Sequence, residues 1–392
     1  MTEFYTPQIA ENVYYVGVKD PERRLFDSLI PLPQGTTYNA YLIKDEKTAL
    51  IDTVNPGFEQ ELEQRITQNH PLDKLDYIIM NHAEPDHAAA IPYLLEKTKA
   101  TLVATKRGAD AAKTYFNVPE NRVKIVEDNE TLSLGAKTLR FIVAPMLHWP
   151  ETMFTYLEED KILFPCDFLG LHTAYGLYDD EVPQLLEYAQ RYFGEIMMPY
   201  RSMGKRGLDK IKHLDVSMIA PSHGPIHRNP ETIMEAYEKW TNGETEEKAL
   251  IVYASMWRST EKMVQQIAET LRSNGIDTPV YNLASADIGD IARDLVDSKA
   301  IILGTPTVLN KMHPLAVYAT HLVTVLNPPA KYAVALTSYG WGKGALKHAA
   351  ELLKPTGLEI IGAVEVNGPP QTEDLKEIIS IGQTLAEKIK QK

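Results

Sequence analysis

The chain has 392 residues, more than one ordinary hydrophobic core accommodates, so we expect two domains. Its formal net charge of −13 argues against a nucleic-acid-binding protein, which needs a basic surface to displace counterions from phosphates. The composition, 44% hydrophobic and 24% charged, excludes a disordered or fibrous chain. We find no secretion signal at the N-terminus, no apolar run of membrane-spanning length and a single cysteine, Cys166, and therefore expect a cytoplasmic protein with no membrane contact.

The first part of the chain contains short apolar runs of β-forming composition, separated by loops and helical stretches. We expect strands at residues 38–43, 48–53, 75–80, 139–143, 153–157 and 162–164. A polar stretch at residues 241–248 interrupts this pattern, and the periodicity changes after it. We therefore expect one domain over residues 1–246 and a second over residues 247–392.

The second part alternates strand and helix patterns regularly. Buried-strand patterns occupy residues 249–253, 300–303, 332–336 and 359–364, and residues 261–272 carry apolar side chains at helical spacing. Repeated strand, loop and helix are typical of an α/β fold with a doubly wound parallel sheet.

The sharpest local signal is a loop directly after an apolar run at residues 77–80. Four potential metal ligands lie within six positions of this loop: His82, Glu84, Asp86 and His87. Pro85 disfavours helical backbone at Glu84, so we expect a turn that can direct several side chains to one point. Imidazole nitrogens combined with carboxylate oxygens suit iron, manganese or zinc.

Three further candidates follow strand-like runs in the same way: His148, Asp167 and His223. If those strands belong to packed sheets, their ends lie along one edge, where distant residues can converge. Six or seven nitrogen and oxygen ligands exceed what one tetrahedral ion binds, so the sequence favours two metals. A lone histidine or aspartate is more often a structural polar group or a helix cap, but separate structural roles would not place every candidate at a strand end.

The H-x-E-x-D-H loop and the three later candidates resemble the flavodiiron signature on a metallo-β-lactamase scaffold. The resemblance implies an αββα sandwich for the first domain and a site for two iron ions. In the implied assignment the first iron is bound by His82, Glu84 and His148, the second is bound by Asp86, His87 and His223, and both are bridged by Asp167. In some members the histidine matching His87 is not coordinated. Zinc hydrolases of this scaffold typically carry a histidine where this chain has Glu84.

Two residues outside the ligand set are candidates for a catalytic role in the same pocket. His172 resembles a histidine near the family's metal site, and Tyr200 is a second pocket candidate. The alternative for both residues is a purely structural role.

Three loops in the second part follow strand-like runs, where open α/β sheets bind ligands. The first loop contains Ser255, Met256, Trp257, Arg258, Ser259 and Thr260; the second contains Pro306, Thr307, Val308, Leu309 and Asn310; the third contains Ser338, Tyr339, Gly340, Trp341 and Gly342. Hydroxyl groups at a helix N-terminus suit a phosphate, and aromatic side chains suit an isoalloxazine ring. These loops resemble the phosphate loop and two isoalloxazine loops of flavodoxins, which implies FMN in a flavodoxin-like domain. Arg258 stands where simple flavodoxins often have glycine.

By this resemblance, FMN passes electrons to the iron pair, which reduces dioxygen to water, nitric oxide to nitrous oxide, or both. The electron donor in the family is rubredoxin, a flavin or NADH reductase or, in methanogens, reduced deazaflavin, and all remain open for this chain. The family usually forms a head-to-tail homodimer or a dimer of such dimers, and we expect the same here. Two alternatives are a zinc hydrolase with an accessory flavodoxin domain and an electron carrier with a vestigial metal loop.

Overall fold

A computed structural model describes residues 4–391 and divides into two compact units. One unit runs to Tyr192 and resumes over Tyr200–Glu238, and the other comprises Phe193–Pro199 and the chain from Lys239 onward. The domain boundary expected at residue 246 stays a prediction. The expectation that the N-terminus carries no secretion signal falls partly on residues 1–3, which lie outside the described residues. Across residues 4–391, the helices are too short or too polar to span a bilayer.

The first unit is built from short strands and helices. Its strands are β1 (Gln8–Ala10), β2 (Val13–Tyr15), β3 (Val18–Asp20), β4 (Leu25–Phe26), β5 (Ile30–Pro31), β6 (Thr36–Tyr38), β7 (Tyr41–Ile43), β8 (Ala49–Ile51), β9 (Tyr77–Ile79), β10 (Thr101–Ala104), β11 (Val123–Ile125), β12 (Thr131–Ser133), β13 (Thr138–Val143), β14 (Met153–Leu157), β15 (Ile162–Phe164) and β16 (Met218–Ile219). Its α-helices are α1 (Glu59–Asn69), α2 (Pro85–Ala88), α3 (Ile91–Lys97), α4 (Lys106–Phe116), α5 (Leu185–Tyr192), α6 (Arg201–Ile211) and α7 (Pro230–Asn242), the last of which begins in this unit.

Two sheets of the first unit share one core. The larger sheet has the order β1-β2-β7-β8-β9-β10-β11, and the smaller has the order β12-β13-β14-β15-β16. Ile51 and Ile79 of the larger sheet belong to one buried cluster with Phe141 and Phe164 of the smaller sheet. Because alternate residues of a strand point to opposite faces, the neighbouring residues Leu50 and Ile78 face away from this core.

Helices cover both outer faces of this pair of sheets. On the larger sheet, Leu62 of α1 and Leu94 of α3 pack in the same buried cluster as Leu50. On the smaller sheet, Phe154 of β14 stacks on Phe168 with ring centroids 5.6 Å apart, and Tyr237 of α7 meets Phe168 at 5.1 Å. The predicted αββα sandwich is confirmed.

The second unit is one parallel sheet with helices between its strands. Its strands are β17 (Ala249–Tyr253), β18 (Val280–Asn282), β19 (Ala300–Val308), β20 (Lys311–Met312), β21 (Tyr332–Tyr339) and β22 (Glu359–Asn367). Its α-helices are α8 (Ser259–Ser273), α9 (Ile288–Leu295), α10 (Pro314–Leu326), α11 (Ala345–Leu353) and α12 (Thr372–Lys390). The strands lie in the order β18-β17-β19-β21-β22, all parallel, and only the short β20 pairs antiparallel with β19. This is the 2-1-3-4-5 order of the flavodoxin-like fold, which confirms the predicted doubly wound sheet.

Several predicted strands were wrong in their extent. The run at residues 38–43 is divided between β6 and β7, because Asn39 bonds instead to the loop at residues 221–224: its backbone N–H donates to Ser222 O, and its side-chain amide donates to the carbonyls of that loop. The strands expected at 300–303 and 332–336 continue further, since their parallel ladder extends to the pair Pro306 and Ser338.

Candidate metal centre and flavin-binding edge

The seven predicted metal ligands all lie beyond strand ends of the first unit, as expected from the sequence. His82 and Glu84 follow β9, and Glu84 has extended backbone just before the short helix α2. Asp86 and His87 lie on α2, so the predicted turn contains one helical turn. The other three follow strands of the smaller sheet: His148 comes after β13, Asp167 after β15 and His223 after β16.

These side chains form two clusters of donor atoms, each with its ligand atoms within 4.8 Å of one another. The first cluster consists of His82, Glu84, His148 and Asp167. The second consists of Asp86, His87 and His223. Asp167 Oδ2 lies 3.4 Å from His82 Nε2, whereas Asp167 Oδ1 lies 2.9 Å from His87 Nε2. One oxygen therefore faces each cluster, which is the arrangement of a bridging carboxylate.

Several donor atoms of this site are buried without a hydrogen bond. Among residues 4–391, both carboxylate oxygens of Asp86 and Asp167 and both ring nitrogens of His87 have no hydrogen-bond partner. The close pair formed by His87 Nε2 and Asp167 Oδ1 does not have hydrogen-bond geometry. Buried carboxylates without partners are costly, and metal coordination is a usual way to satisfy them. The donor set fits two cations that accept mixed nitrogen and oxygen ligands.

The histidines and carboxylates of the site shift one another's pKa. Burial lowers the pKa of His148, but the adjacent carboxylates of Asp167 and Glu84 raise that pKa overall to about 9. Burial raises the pKa of Glu84, but hydrogen bonds from His148 and His82 lower it overall to about 2. Without metal, His148 is therefore protonated and Glu84 is ionised. A metal cation that binds here displaces the histidine proton and takes over the pairing with the carboxylate.

Cys166 also lies close to the second cluster, with its sulfur within 4.8 Å of donor atoms of His87 and Asp167. Burial raises the pKa of its thiol well above the ordinary value, and Ser222 Oγ donates a hydrogen bond to Sγ at 3.0 Å. A metal binds the thiolate and not the thiol, so Cys166 is a poor ligand in this setting.

The three loops predicted to bind flavin meet at the carboxyl edge of the second unit's sheet. Thr260 Oγ1 and Ser338 Oγ are 2.9 Å apart, which joins the first loop to the third. A side chain at Gly342 would meet Asn310 Oδ1 at 2.9 Å, which joins the third loop to the second. Pro306, Thr307 and Val308 belong to the end of β19 instead of a loop, and Ser338 and Tyr339 end β21.

The edge of this sheet also offers exposed aromatic surface. Trp257 and Trp341 are each 86% exposed, and Leu309 is 85% exposed, so large apolar side chains are available to a planar ring. Arg258 adopts φ +67° directly before α8. Because this backbone conformation favours glycine, it explains why simple flavodoxins often have glycine at the matching position.

Comparisons with known proteins agree with the folds of both units. Residues 36–224 match the family model described as ODP family beta lactamase, and residues 251–382 match the model described as Flavodoxin. The nitric oxide reductase of Moorella thermoacetica is 37% identical to this chain over 391 residues, which cover 97% of this chain and 98% of the relative.

Solved structures give the same result. The rubredoxin oxygen:oxidoreductase of Desulfovibrio gigas has a TM-score of 0.96 at 30% identity, covering 98% of this chain and 99% of that chain. The flavodiiron protein of Giardia intestinalis has a TM-score of 0.94 at 29% identity, covering 99% of this chain and 98% of that chain. The chain belongs to the flavodiiron family.

Membership of the flavodiiron family confirms the predicted oxidoreductase class and, at the level of the family, the two predicted cofactors, FMN and an iron pair. The same comparisons do not support the zinc hydrolase alternative. The distinguishing feature of the sequence, Glu84 in place of a second histidine, is therefore consistent with the family that the whole chain matches.

In this flavodiiron protein, His172 lies beside the second cluster but outside both ligand groups. Its ring centroid is 4.7 Å from that of His223, and its Nδ1 is 2.9 Å from Thr36 Oγ1. Burial, followed by the neighbouring charge of His223, lowers the pKa of His172 well below the ordinary value. His172 is therefore neutral at physiological pH.

Tyr200 lines a cavity of about 520 Å³ that reaches His148. Trp149, Glu151 and Arg107 line the same cavity. Tyr200 is thus near the first cluster, although no hydrogen bond connects it to a donor atom in the part of the chain that the structure describes. Its catalytic role, like that of His172, stays a prediction.

The sequence did not reveal the residues that support the ligand loop. Asp52 is buried after β8, where its carboxylate accepts hydrogen bonds from Asn81 N at 2.8 Å and from Asn81 Nδ2 at 3.1 Å. Thr155 Oγ1 donates to Asn81 Oδ1 at 2.7 Å. Asn81 directly precedes His82, so this network fixes the start of the loop. The residue types of this network are ordinary for strand ends. Only the position of Asp52 after an apolar run could have indicated a role near the site.

Proposed function

We propose that the seven clustered side chains hold two iron ions in the arrangement that the sequence implied. His82, Glu84 and His148 bind one iron, Asp86, His87 and His223 bind the other, and Asp167 bridges them. The observation that carries this proposal is the bridging geometry of Asp167, whose two oxygens lie 3.4 Å and 2.9 Å from histidine nitrogens of different clusters. The unpaired buried oxygens of Asp86 support the same assignment.

We infer that the reaction is the reduction of dioxygen to water, of nitric oxide to nitrous oxide, or of both. When bound, the iron pair supplies a redox-active site for a diatomic substrate, and FMN supplies the electrons. The names of the Moorella and Desulfovibrio relatives support the two substrates. The neutral imidazole of His172 can donate or accept one hydrogen bond beside the site without adding a positive charge to it.

The three loops of the second unit hold FMN in this proposal. Ser255, Ser259 and Thr260 bind its phosphate at the N-terminus of α8, where backbone N–H groups and the helix dipole favour an anion. Tyr339 and Trp341 contact the isoalloxazine ring, together with the end of β19.

We also propose the partners that the sequence implied. The electron donor is rubredoxin, a flavin or NADH reductase, or reduced deazaflavin, and the name of the Desulfovibrio relative supports the first of these. The protein acts in the cytoplasm as a head-to-tail homodimer, or a dimer of such dimers, so that the FMN of one subunit serves the iron pair of the other.

The test begins with metal and flavin analysis of the purified protein, for which we expect two irons and one FMN per chain. Anaerobic stopped-flow mixing of the reduced protein with dioxygen or nitric oxide then measures each reaction. Asp167→Asn should lose iron and both activities while retaining FMN. Asp215→Asn, at an ion pair on the surface, is the matched control and should change neither the iron content nor the two activities. Zinc without iron in the wild-type protein would contradict the proposal, as would full activity of Asp167→Asn.

A further inference from the structure

Glu151 makes two hydrogen bonds to the loop that carries His82. Its Oε1 lies 2.8 Å from His82 Nδ1 and accepts a hydrogen bond from Ala83 N at 3.0 Å. The side chain is buried, with only 4% of the residue exposed, so water does not compete effectively for these bonds. Because the backbone N–H of Ala83 can only donate, the oxygen that it contacts is an acceptor.

The contact with Glu151 determines which nitrogen of the His82 ring is available to bind a metal. An accepting oxygen at 2.8 Å keeps a ring proton on Nδ1, so Nε2 is the nitrogen left to bind a metal. His82 Nε2 faces the first cluster, at 3.2 Å from Glu84 Oε2 and 3.4 Å from Asp167 Oδ2. The hydrogen bond therefore holds both the tautomer and the ring orientation that a metal ligand needs.

Glu151 is itself held in place from the other side. Its carbonyl oxygen accepts a hydrogen bond from Thr105 Oγ1 at 2.9 Å, and the same Thr105 oxygen caps the first turn of α4 by accepting from Gly108 N at 3.0 Å. Glu151 also lies three residues after His148, on the same connection between β13 and β14. One short segment thus carries one ligand candidate and orients another.

We propose that Glu151 is a positioning residue for the metal centre, which fixes the Nδ1-protonated tautomer of His82 and ties the two ligand loops of the first iron together. This inference rests on the proposed function, because it concerns a ligand of the iron pair. The proposal gives Glu151 a role, although Glu151 is not among the seven proposed metal ligands.

The test compares Glu151→Ala and Glu151→Gln with wild-type protein and with Glu158→Gln, which alters a half-exposed glutamate paired with Arg140. Iron affinity is measured by competition with a chelator, and the reduction potential of the iron pair by titration. Loss of a carboxylate that supports a histidine ligand typically weakens metal binding about 10- to 100-fold, and we expect this for Glu151→Ala. Glu151→Gln, whose amide oxygen can still accept from His82 and Ala83, should recover part of the affinity.

Three measurements separate positioning from folding: the His82 signal, the reduction potential and the FMN content. In zinc-loaded protein labelled with ¹⁵N-histidine, His82 should show a protonated Nδ1 in the wild type and an altered Nδ1 signal in Glu151→Ala. The reduction potential should rise in both variants, because an imidazole without its carboxylate partner donates less electron density to ferric iron. FMN content should stay unchanged.

The outcomes distinguish this inference from the proposed function. Wild-type protein that binds no iron pair overturns both. Wild-type protein with two irons, together with a Glu151→Ala variant of unchanged affinity, potential and His82 signal, overturns only the role of Glu151. If Glu151→Ala does not fold, Glu151→Gln decides by its potential and its His82 signal.

Discussion

His227 should make the first unit sensitive to acid. The side chain is fully buried, its Nε2 lies 3.0 Å from Leu169 O, and its Nδ1 has no hydrogen-bond partner among the described residues. Burial lowers the pKa of His227 from 6.5 to about 4, against a smaller opposing effect of Asp179. The unfolded chain therefore takes up a proton near pH 6.5, whereas the folded protein does so only near pH 4.

The direction and size of the pH effect on the free energy of unfolding follow from this difference in pKa. Because the unfolded state binds the extra proton between these two pKa values, stability falls as the pH falls through this window. One pKa unit corresponds to about 1.4 kcal/mol, so the free energy of unfolding should drop by about 2 kcal/mol between about pH 7 and about pH 5. For a unit of this size, such a drop lowers the melting temperature by about 4–8 °C.

The assay is differential scanning calorimetry of metal-free protein, which avoids acid release of iron. His227→Gln keeps an amide that can donate to Leu169 O but has no ionisable group, so its melting temperature should depend less on pH over this window. His213→Gln, at an exposed histidine, is the control and should keep the wild-type dependence. An equal loss of stability in wild-type protein and His227→Gln would refute the reasoning.

Three other predictions concern the supports of the two sites. Asp52→Ala removes the carboxylate that accepts from the buried backbone N–H and side-chain amide of Asn81, of which only the amide has another acceptor, Phe164 O. The free energy of unfolding should fall by about 2–5 kcal/mol in urea titrations, whereas Asp215→Ala on the surface should change it by less than about 0.5 kcal/mol. Gly304→Ala places Cβ 2.8 Å from Val264 Cγ2 and should cost about 1–3 kcal/mol, seen as FMN release at lower temperature by flavin fluorescence. Removal of metal by a chelator should lower the melting temperature of the first unit, and added ferrous iron should restore it; unchanged melting would contradict a structural contribution of the metals.

The doubly wound sheet of the second unit was predictable from its periodicity, whereas the αββα sandwich of the first unit was implied by the resemblance of its ligand loop. Continuous apolar runs such as residues 249–253 mark strands buried on both faces, and these became the parallel sheet of the second unit. Strand limits were less predictable. Asn39 breaks the run at residues 38–43 through bonds to residues 221–224, a contact far away in sequence that no local pattern encodes.

The candidate ligands were predictable for a chemical reason. Metals accept few side-chain types, so a loop with His82, Glu84 and Asp86 is conspicuous, and strand ends are where such side chains can meet. Glu151 and Thr36 were not predictable, because glutamate and threonine occur everywhere and act here only through their distance from His82 and His172. Their roles depend on tertiary structure that the spacing of residues does not report.

The charge of the first unit's site explains why it needs two cations. Glu84, Asp86 and Asp167 bring three buried carboxylates together, and an ionised carboxylate in a low-dielectric interior costs several kcal/mol unless a positive charge compensates it. Without metal, protonated His87 and His148 supply this charge, which is why both have a pKa of about 9. In the proposed iron site the same histidines would be neutral ligands, so the compensation would come from the ions. Two divalent ions carry four positive charges against three carboxylates, whereas a single divalent ion would leave one carboxylate uncompensated. The three carboxylates therefore match two divalent cations, and the choice of iron follows from the family to which the whole chain belongs.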